Sequence, residues 1–293
     1  MIDTSRPIPP GLHFIATPIG AARDITLRAL DILAGAAVLA AEDTRTLRHL
    51  MEIHGIPLGG RPLIAYHDHN GETARPRLLA ALAEGRSVAY ASEAGTPLVA
   101  DPGFQLGRAA IAAGFPVFAA PGPSAVLAAL TVSGLPTDRF LFAGFPPAAA
   151  GARRRVFAEL ASVPATLVLY ESPKRVSRTL GELCDQLGHD RQAAVCRELT
   201  KRFEEVTRAS LGELAATFAD RDVKGEIVLV IDRPGEKPAE AGSLEAALSE
   251  ALATMSRKDA VAAVAASLGR PRREVYQAAL ALAPGGDDDA TDD

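Results

Sequence analysis

The chain has 293 residues, 48% of them hydrophobic and 23% charged, with a formal net charge of −5. That length and balance suit an ordinary folded protein with one large or two smaller α/β domains, and they exclude a low-complexity or collagen-like chain. No apolar run approaches the ~18 residues of a membrane span, and the polar start Met1 to Pro10 lacks the apolar centre of a signal peptide, so a cytoplasmic location is expected.

From Leu12 to Ala120, strand-like apolar runs alternate with helix-like patterns, which points to a parallel sheet of βαβ units. The strands read are Leu12 to Ala16, Val38 to Ala41, Leu63 to Tyr66, Val88 to Ala91 and Val117 to Ala120. Glycines at 55, 85 and 114 fit the left-handed position that ends a helix. A second α/β unit follows a helix starting at Ser124, with strands at Phe140 to Ala143, Thr166 to Tyr170, Ala193 to Cys196, a short one near Val206, and Glu226 to Ile231. The expected organisation is an N-terminal extension over 1–11, α/β domains over 12–121 and 122–232, a linker over 233–242, a helical segment over 243–283 with Pro271 opening its last helix, and a disordered acidic tail over 284–293.

The charge sum hides a local balance. Five acids lie in the last seven residues, and without them 31 acids stand against 31 basic residues, so a basic face remains available. Its candidates are Arg153-Arg154-Arg155, Lys174-Arg175 with Arg178, Lys201-Arg202, Arg257-Lys258, and Arg270 with Arg272-Arg273. Taken alone, the triple arginine is more often a solvated helix face than an RNA contact. The two cysteines, Cys184 and Cys196, lie in apolar patterns and read as core residues.

Nearly every strand runs into a polar cluster: Thr17-Pro18-Ile19-Gly20, Glu42-Asp43-Thr44-Arg45, His67-Asp68-His69-Asn70, Ser92 to Pro97, Pro121 to Ser124, Glu171-Ser172-Pro173-Lys174-Arg175, and Arg197-Glu198-Leu199-Thr200-Lys201. In a parallel sheet these ends share one edge, so the clusters are expected to converge on one cleft. G-x-G-x-x-G and G-x-x-x-x-G-K-[ST] are both missing, which removes the main support for a dinucleotide or nucleoside triphosphate site. Asp43 and Thr44 read either as a helix cap or as site residues. His67 and His69 would share a face of an extended strand, but no third ligand has suitable spacing, so no metal is expected.

Taken in register, these segments resemble the tetrapyrrole methylase-like class of S-adenosylmethionine-dependent methyltransferases, together with Asp101-Pro102-Gly103, Ser133 to Phe140, Tyr170-Glu171-Ser172-Pro173 and Lys224-Gly225-Glu226. The resemblance covers Leu12 to Ile231 and continues past Ser256. It is closest to members that methylate a cytidine 2′-hydroxyl in the 16S RNA of the small ribosomal subunit. The family usually has Asn-Leu where Ala21-Ala22 stand, Asp at Glu93 and His at Lys174. The resemblance implies two α/β domains with a cofactor cleft between them, a homodimer, and S-adenosylmethionine held by Pro18, Gly20, Glu93, Ala94, Gly95, Thr96, Pro97, Pro121, Gly122, Ser124, Tyr170, Leu199 and Gly225. For the RNA it implies Asp43, Arg45, His67, Asn70, Arg153, Arg154, Glu171 and Arg175, with the basic C-terminal helices. A ribose hydroxyl needs a base; Lys201 with a lowered pKa, beside Glu42 or Glu205, is the expected arrangement. A small tetrapyrrole acceptor and a non-catalytic ribosome-assembly factor are the rival readings.

Overall fold

Five short apolar runs form the first sheet because each is flanked by helices on both faces, which lets the strands be apolar throughout. They are β1 (Gly11–Ile15), β2 (Val38–Ala41), β3 (Leu63–Ala65), β4 (Ser87–Ala91) and β5 (Val117–Ala120), all parallel in the order β3-β2-β4-β1-β5. The computed structural model describes residues 7–67, 69–99, 103–235 and 241–282. Asp68 and Asp101-Pro102 of the quoted motifs, and the acidic tail, lie outside them.

The connecting helices are α1 (Leu27–Gly35), α2 (Thr44–Ile53), α3 (Gly71–Ala83) and α4 (Phe104–Ala112). Alternation along β4 sorts the core. Ala89 and Ala91 face a cluster with Leu30, Leu33 and Met51 of α1 and α2, whereas Val88 and Tyr90 face Leu78, Leu82 and Leu106 of α3 and α4. The expected helix stops hold: Gly55, Gly85 and Gly114 have φ of 68°, 74° and 78°.

Next come α5 (Ala125–Ser133), β6 (Phe140–Gly144), α6 (Ala150–Leu160), β7 (Thr166–Glu171), α7 (Val176–Leu187), β8 (Gln192–Arg197), β9 (Glu205–Ser210), α8 (Leu211–Phe218) and β10 (Ile227–Ile231). This second sheet, ordered β6-β7-β10-β8-β9, is mixed, which corrects the expectation of a parallel one. The helical crossover through α7 leaves a gap between β7 and β8, and β10 fills it antiparallel to both. β9 is a hairpin return from β8. The polar ends still meet, because β6, β7 and β8 run one way while β9 and β10 begin where those three end. Glu171, Ile227, Arg197 and Glu205 therefore form one cross-strand row.

β10 is buried on both faces, as its sequence Ile-Val-Leu-Val-Ile requires. Ile227, Leu229 and Ile231 pack with Phe157, Leu180, Leu214 and Phe218 of α6, α7 and α8, and Val228 and Val230 pack with Ala129 and Leu130 of α5. Both sheets belong to one compact unit, Met1–Pro234. Cys184 and Cys196 are buried in these two clusters, as expected.

A second unit, Gly235–Asp293, holds α9 (Ala241–Leu252), α10 (Arg257–Leu268) and α11 (Arg272–Leu282). Its core is Leu244, Leu248, Val261, Val264, Ala265, Val275 and Ala279. Ser256 caps α10 by accepting from the Asp259 N–H at 3.2 Å, and Gly269, at φ 62°, ends it. Lys258, Arg272 and Arg273 are exposed. No helix among the described residues is long and apolar enough to cross a membrane.

Candidate active site

The loops after β1, β4 and β5 are knitted together by hydrogen bonds that use up their own polar groups. Thr17 and Gly95 exchange backbone hydrogen bonds at 3.0 Å in each direction. The Thr17 hydroxyl donates to the Ser92 carbonyl at 3.2 Å, Ser92 Oγ donates to the Gly95 carbonyl at 2.6 Å, and Thr96 Oγ1 donates to the Pro123 carbonyl at 2.9 Å. These bonds fix one wall of a cavity of about 440 Å³, within the range of small-molecule sites. Glu42 and Glu93 to Thr96 line it from the first sheet, and Ser124 and Ala125 line it from the start of α5. Tyr170 to Pro173, Cys196, Leu199 and Gly225 to Val228 line it from the second.

The loop after β8 is strained and held down. Glu198 and Thr200 have φ of 51° and 64°, left-handed values that cost on the order of 1–3 kcal/mol each for residues other than glycine. Glu198 Oε1 accepts from the Glu226 N–H and from Lys201 Nζ, both at 2.9 Å. The Thr200 N–H donates to Glu204 at 2.6 Å, and Thr200 Oγ1 accepts from the Ala21 N–H at 3.1 Å. The result is that Leu199, between the two strained residues, lines the cavity.

Gly225 makes that arrangement possible. At φ 93° an added Cβ would stand 2.4 Å from Glu198 Cδ. Gly225→Ala is expected to break the Glu198 contacts and cost about 1–3 kcal/mol in stability, with product affinity lowered at least tenfold. Thermal denaturation and calorimetric titration with S-adenosylhomocysteine check both expectations, and an unchanged affinity would contradict them.

Of the residues expected to hold a cofactor, Glu93, Ala94, Gly95, Thr96, Ser124, Tyr170, Leu199 and Gly225 line the cavity. Pro18, Gly20, Pro97, Pro121 and Gly122 do not. Pro18 and Gly20 flank Ile19, which does, and Gly20 packs so closely on the other loop that a Cβ would stand 2.5 Å from Lys201 Cγ. Burial pushes the Tyr170 phenol up from its ordinary pKa. Sequence reading missed Ile19, Val99, Phe145 and Cys196, apolar residues with no polar signal of their own. It quoted Lys224-Gly225-Glu226 without giving Glu226 a role.

The proton-handling expectation needs correction. Lys201 Nζ donates to Glu198 at 2.9 Å and Glu226 at 3.0 Å, not to Glu42 or Glu205. Its burial alone would lower its pKa, but the hydrogen bonds to Glu198 and Glu226 outweigh burial and raise it above the ordinary lysine value. Lys201 is therefore held as a cation between two carboxylates. Glu205 is bound by Arg221 at 2.7 and 2.6 Å and by Arg197 at 3.0 Å, hydrogen bonds that lower its pKa to about 2, foremost through Arg221. It is spent on structure.

A carboxylate whose folded pKa lies below its unfolded value of 4.5 contributes stability above that pH and loses it as the pH falls toward about 2. Wild-type stability to urea is expected to fall between those limits, and Glu205→Gln to flatten this part of the curve. Identical acid limbs for the two proteins would contradict that.

The residues expected at the acceptor divide. Asp43 is the cap of α2, accepting from the Arg45 N–H at 2.7 Å and from its guanidinium, whose hydrogen bond lowers the Asp43 pKa. The Arg45 side chain remains 91% exposed, and Arg154 is exposed. β3 stops at Ala65, so His67 and His69 stand in a turn and not on a strand face; Asn70 binds its own loop through the His67 N–H and the Ala65 carbonyl, both at 2.9 Å. Among the described residues no three or more His, Cys, Asp or Glu side chains come together as metal ligands would.

Glu171 lines the cavity yet is consumed by Thr179 Oγ1 at 2.6 Å, the Ser172 N–H at 2.7 Å and Arg175 at 3.2 Å. Arg153 is buried at 1% exposure, forked onto Glu182 at 2.7 and 2.5 Å, and cannot present itself to an RNA.

Residues 11–215 match the model for the Tetrapyrrole (Corrin/Porphyrin) Methylases, and residues 238–283 match that for the RsmI C-terminal HTH domain. The chain is 46% identical over 279 residues, 95% of its length and 94% of the relative's, to a protein of Mesorhizobium japonicum named ribosomal RNA small subunit methyltransferase I. A protein of the same name from Xylella fastidiosa is 43% identical, covering 92% of this chain and 98% of its own. A solved structure of uroporphyrin-III C-methyl transferase from Thermus thermophilus, complexed with S-adenosylhomocysteine, shares the fold at TM-score 0.52 and 21% identity over 75% of this chain and 96% of its own.

Proposed function

The chain belongs to the tetrapyrrole (corrin/porphyrin) methylase family, and from that premise we propose that it methylates the 2′-hydroxyl of a cytidine in the 16S RNA of the small ribosomal subunit, using S-adenosylmethionine. The observation that carries the RNA reading is the reach of the similarity: it runs through residues 238–283, beyond residues 11–215 that match the tetrapyrrole methylases. A small tetrapyrrole acceptor gives no reason for that added helical unit with its exposed basic residues.

The cavity suits the cofactor in chemistry as well as volume. Its wall is mostly apolar, from Ile19, Val99, Leu199 and Val228, with the carboxylates of Glu42, Glu93 and Glu226 offering places for a cation or for ribose hydroxyls. Tight main-chain turns at Gly95 and Gly225 bring backbone to the surface. When bound, S-adenosylmethionine supplies an electrophilic methyl group on a sulfonium. The chain's own part is to hold both partners at reacting distance and to accept the hydroxyl proton. Of Lys201, Glu42 and Glu205, Glu42 is the cavity-lining residue, and it is the proton acceptor in this reading. Lys201 keeps the β8 loop closed on Glu226.

Arg45 and Arg154 contact phosphates, which makes binding steeply salt-dependent. A cytoplasmic homodimer completes the reading. It is supported by Phe104 and Ile111, 56% and 65% exposed, beside the edge strand β5. The test offers methyl-labelled S-adenosylmethionine with unmethylated small subunits, naked 16S RNA or a uroporphyrinogen. Label in the subunit RNA is expected; label in the tetrapyrrole alone would replace the reading.

A further inference from the structure

Phe145 is a large aromatic side chain that lines the cavity and is nonetheless 58% exposed, so it stands at the cavity's open side. The backbone aims it there: the pairing of β6 with β7 shifts register between Phe142 and Gly144, and Gly144 turns with φ 68°. Tyr170 supports it from below, its ring 5.4 Å away and inclined by 63°, and Phe142 supports Tyr170 in turn at 4.8 Å.

The segment that follows cannot easily move. Arg175 donates to the Pro146 carbonyl at 2.6 Å, and Arg153 donates to the carbonyls of Pro147 and Ala148 at 3.1 and 2.8 Å. An apolar ring held rigidly in water at the entrance of a site costs hydration free energy unless something covers it.

Unpaired RNA bases are read by stacking on such rings, and an enzyme that acts on one nucleotide must first splay it out. We propose that Phe145 is the platform on which the base of the acceptor nucleotide stacks, which delivers its ribose to the cavity and restricts the enzyme to an unpaired residue. This rests on the RNA reading above and adds the residue that selects the nucleotide's conformation.

The test compares Phe145→Ala, Phe145→Leu and Phe145→Tyr by kinetics on unmethylated small subunits and by calorimetric binding of S-adenosylhomocysteine. Phe145→Ala and Phe145→Leu are expected to lower kcat/KM about fivefold to a hundredfold, with product affinity within twofold of wild type, and Phe145→Tyr to restore the rate. Wild-type behaviour of Phe145→Leu would overturn the proposal, because the ring would then be mere bulk. A parallel loss of product affinity would overturn it in favour of a cofactor contact. A wild-type enzyme that leaves the RNA unlabelled would overturn the RNA reading itself, a failure visible before any variant is compared.

Discussion

Glu42→Gln is expected to lower kcat by about a hundredfold to ten-thousandfold, the range of a lost general base, while the affinity for S-adenosylhomocysteine stays within threefold. The amide keeps the size and hydrogen-bonding reach of the carboxylate but cannot take the proton from a ribose hydroxyl. Glu42 follows β2 directly, so the sheet fixes its backbone, and the Asp43 cap fixes the next residue on α2. Single-turnover rates on small subunits at saturating cofactor isolate the chemical step from product release. A variant as fast as wild type would remove Glu42 from the mechanism.

The second large effect concerns stability. Arg153→Met leaves Glu182 without its bidentate partner and the Pro147 and Ala148 carbonyls without a donor, at a site where the arginine side chain is 2% exposed. Breaking a buried pair from one side costs about 3–5 kcal/mol, chiefly because the remaining charge is stranded. For a unit of this size the Tm is expected to fall by about 6–20 °C. The pair also reports its strength through Glu182, whose carboxyl pKa lies below the ordinary value, mainly because of the Arg153 hydrogen bond. Adding Glu182→Leu to the variant is expected to recover part of the loss, since an apolar pair strands nothing. A Tm within 2 °C of wild type for Arg153→Met would mean the arginine is dispensable to the fold.

Arg153 also shows where reading the sequence stops. Three arginines in a row look alike, and only the spacing to Phe157 and Leu160, four and seven residues on, puts the first of them on the buried stripe of α6. Most strands were legible as short apolar runs, β10 the clearest of them, whereas β9, Glu-Val-Thr-Arg-Ala-Ser, is polar and was legible only as a short strand near Val206. The direction of β10 was not, since an apolar run carries no sign and nothing local shows that α7 leaves room between β7 and β8. Much of the polar and glycine lining of the cavity was legible, as at Gly95, Ser124 and Gly225, although Glu226 was not. Phe145 and Val228 carry no such mark. The partners of Lys201 were hidden for a third reason: Glu226 is 25 residues away and arrives only through the sheet.

The central claim is that the cavity serves methyl transfer to a ribose. Its most direct test is to label unmethylated small subunits with the enzyme and methyl-labelled S-adenosylmethionine, digest the RNA to nucleosides, and identify the labelled one by mass spectrometry. The account predicts 2′-O-methylcytidine, with the methyl group lost together with the sugar on fragmentation. A methyl group retained on a base, or on any nucleoside other than cytidine, would contradict it.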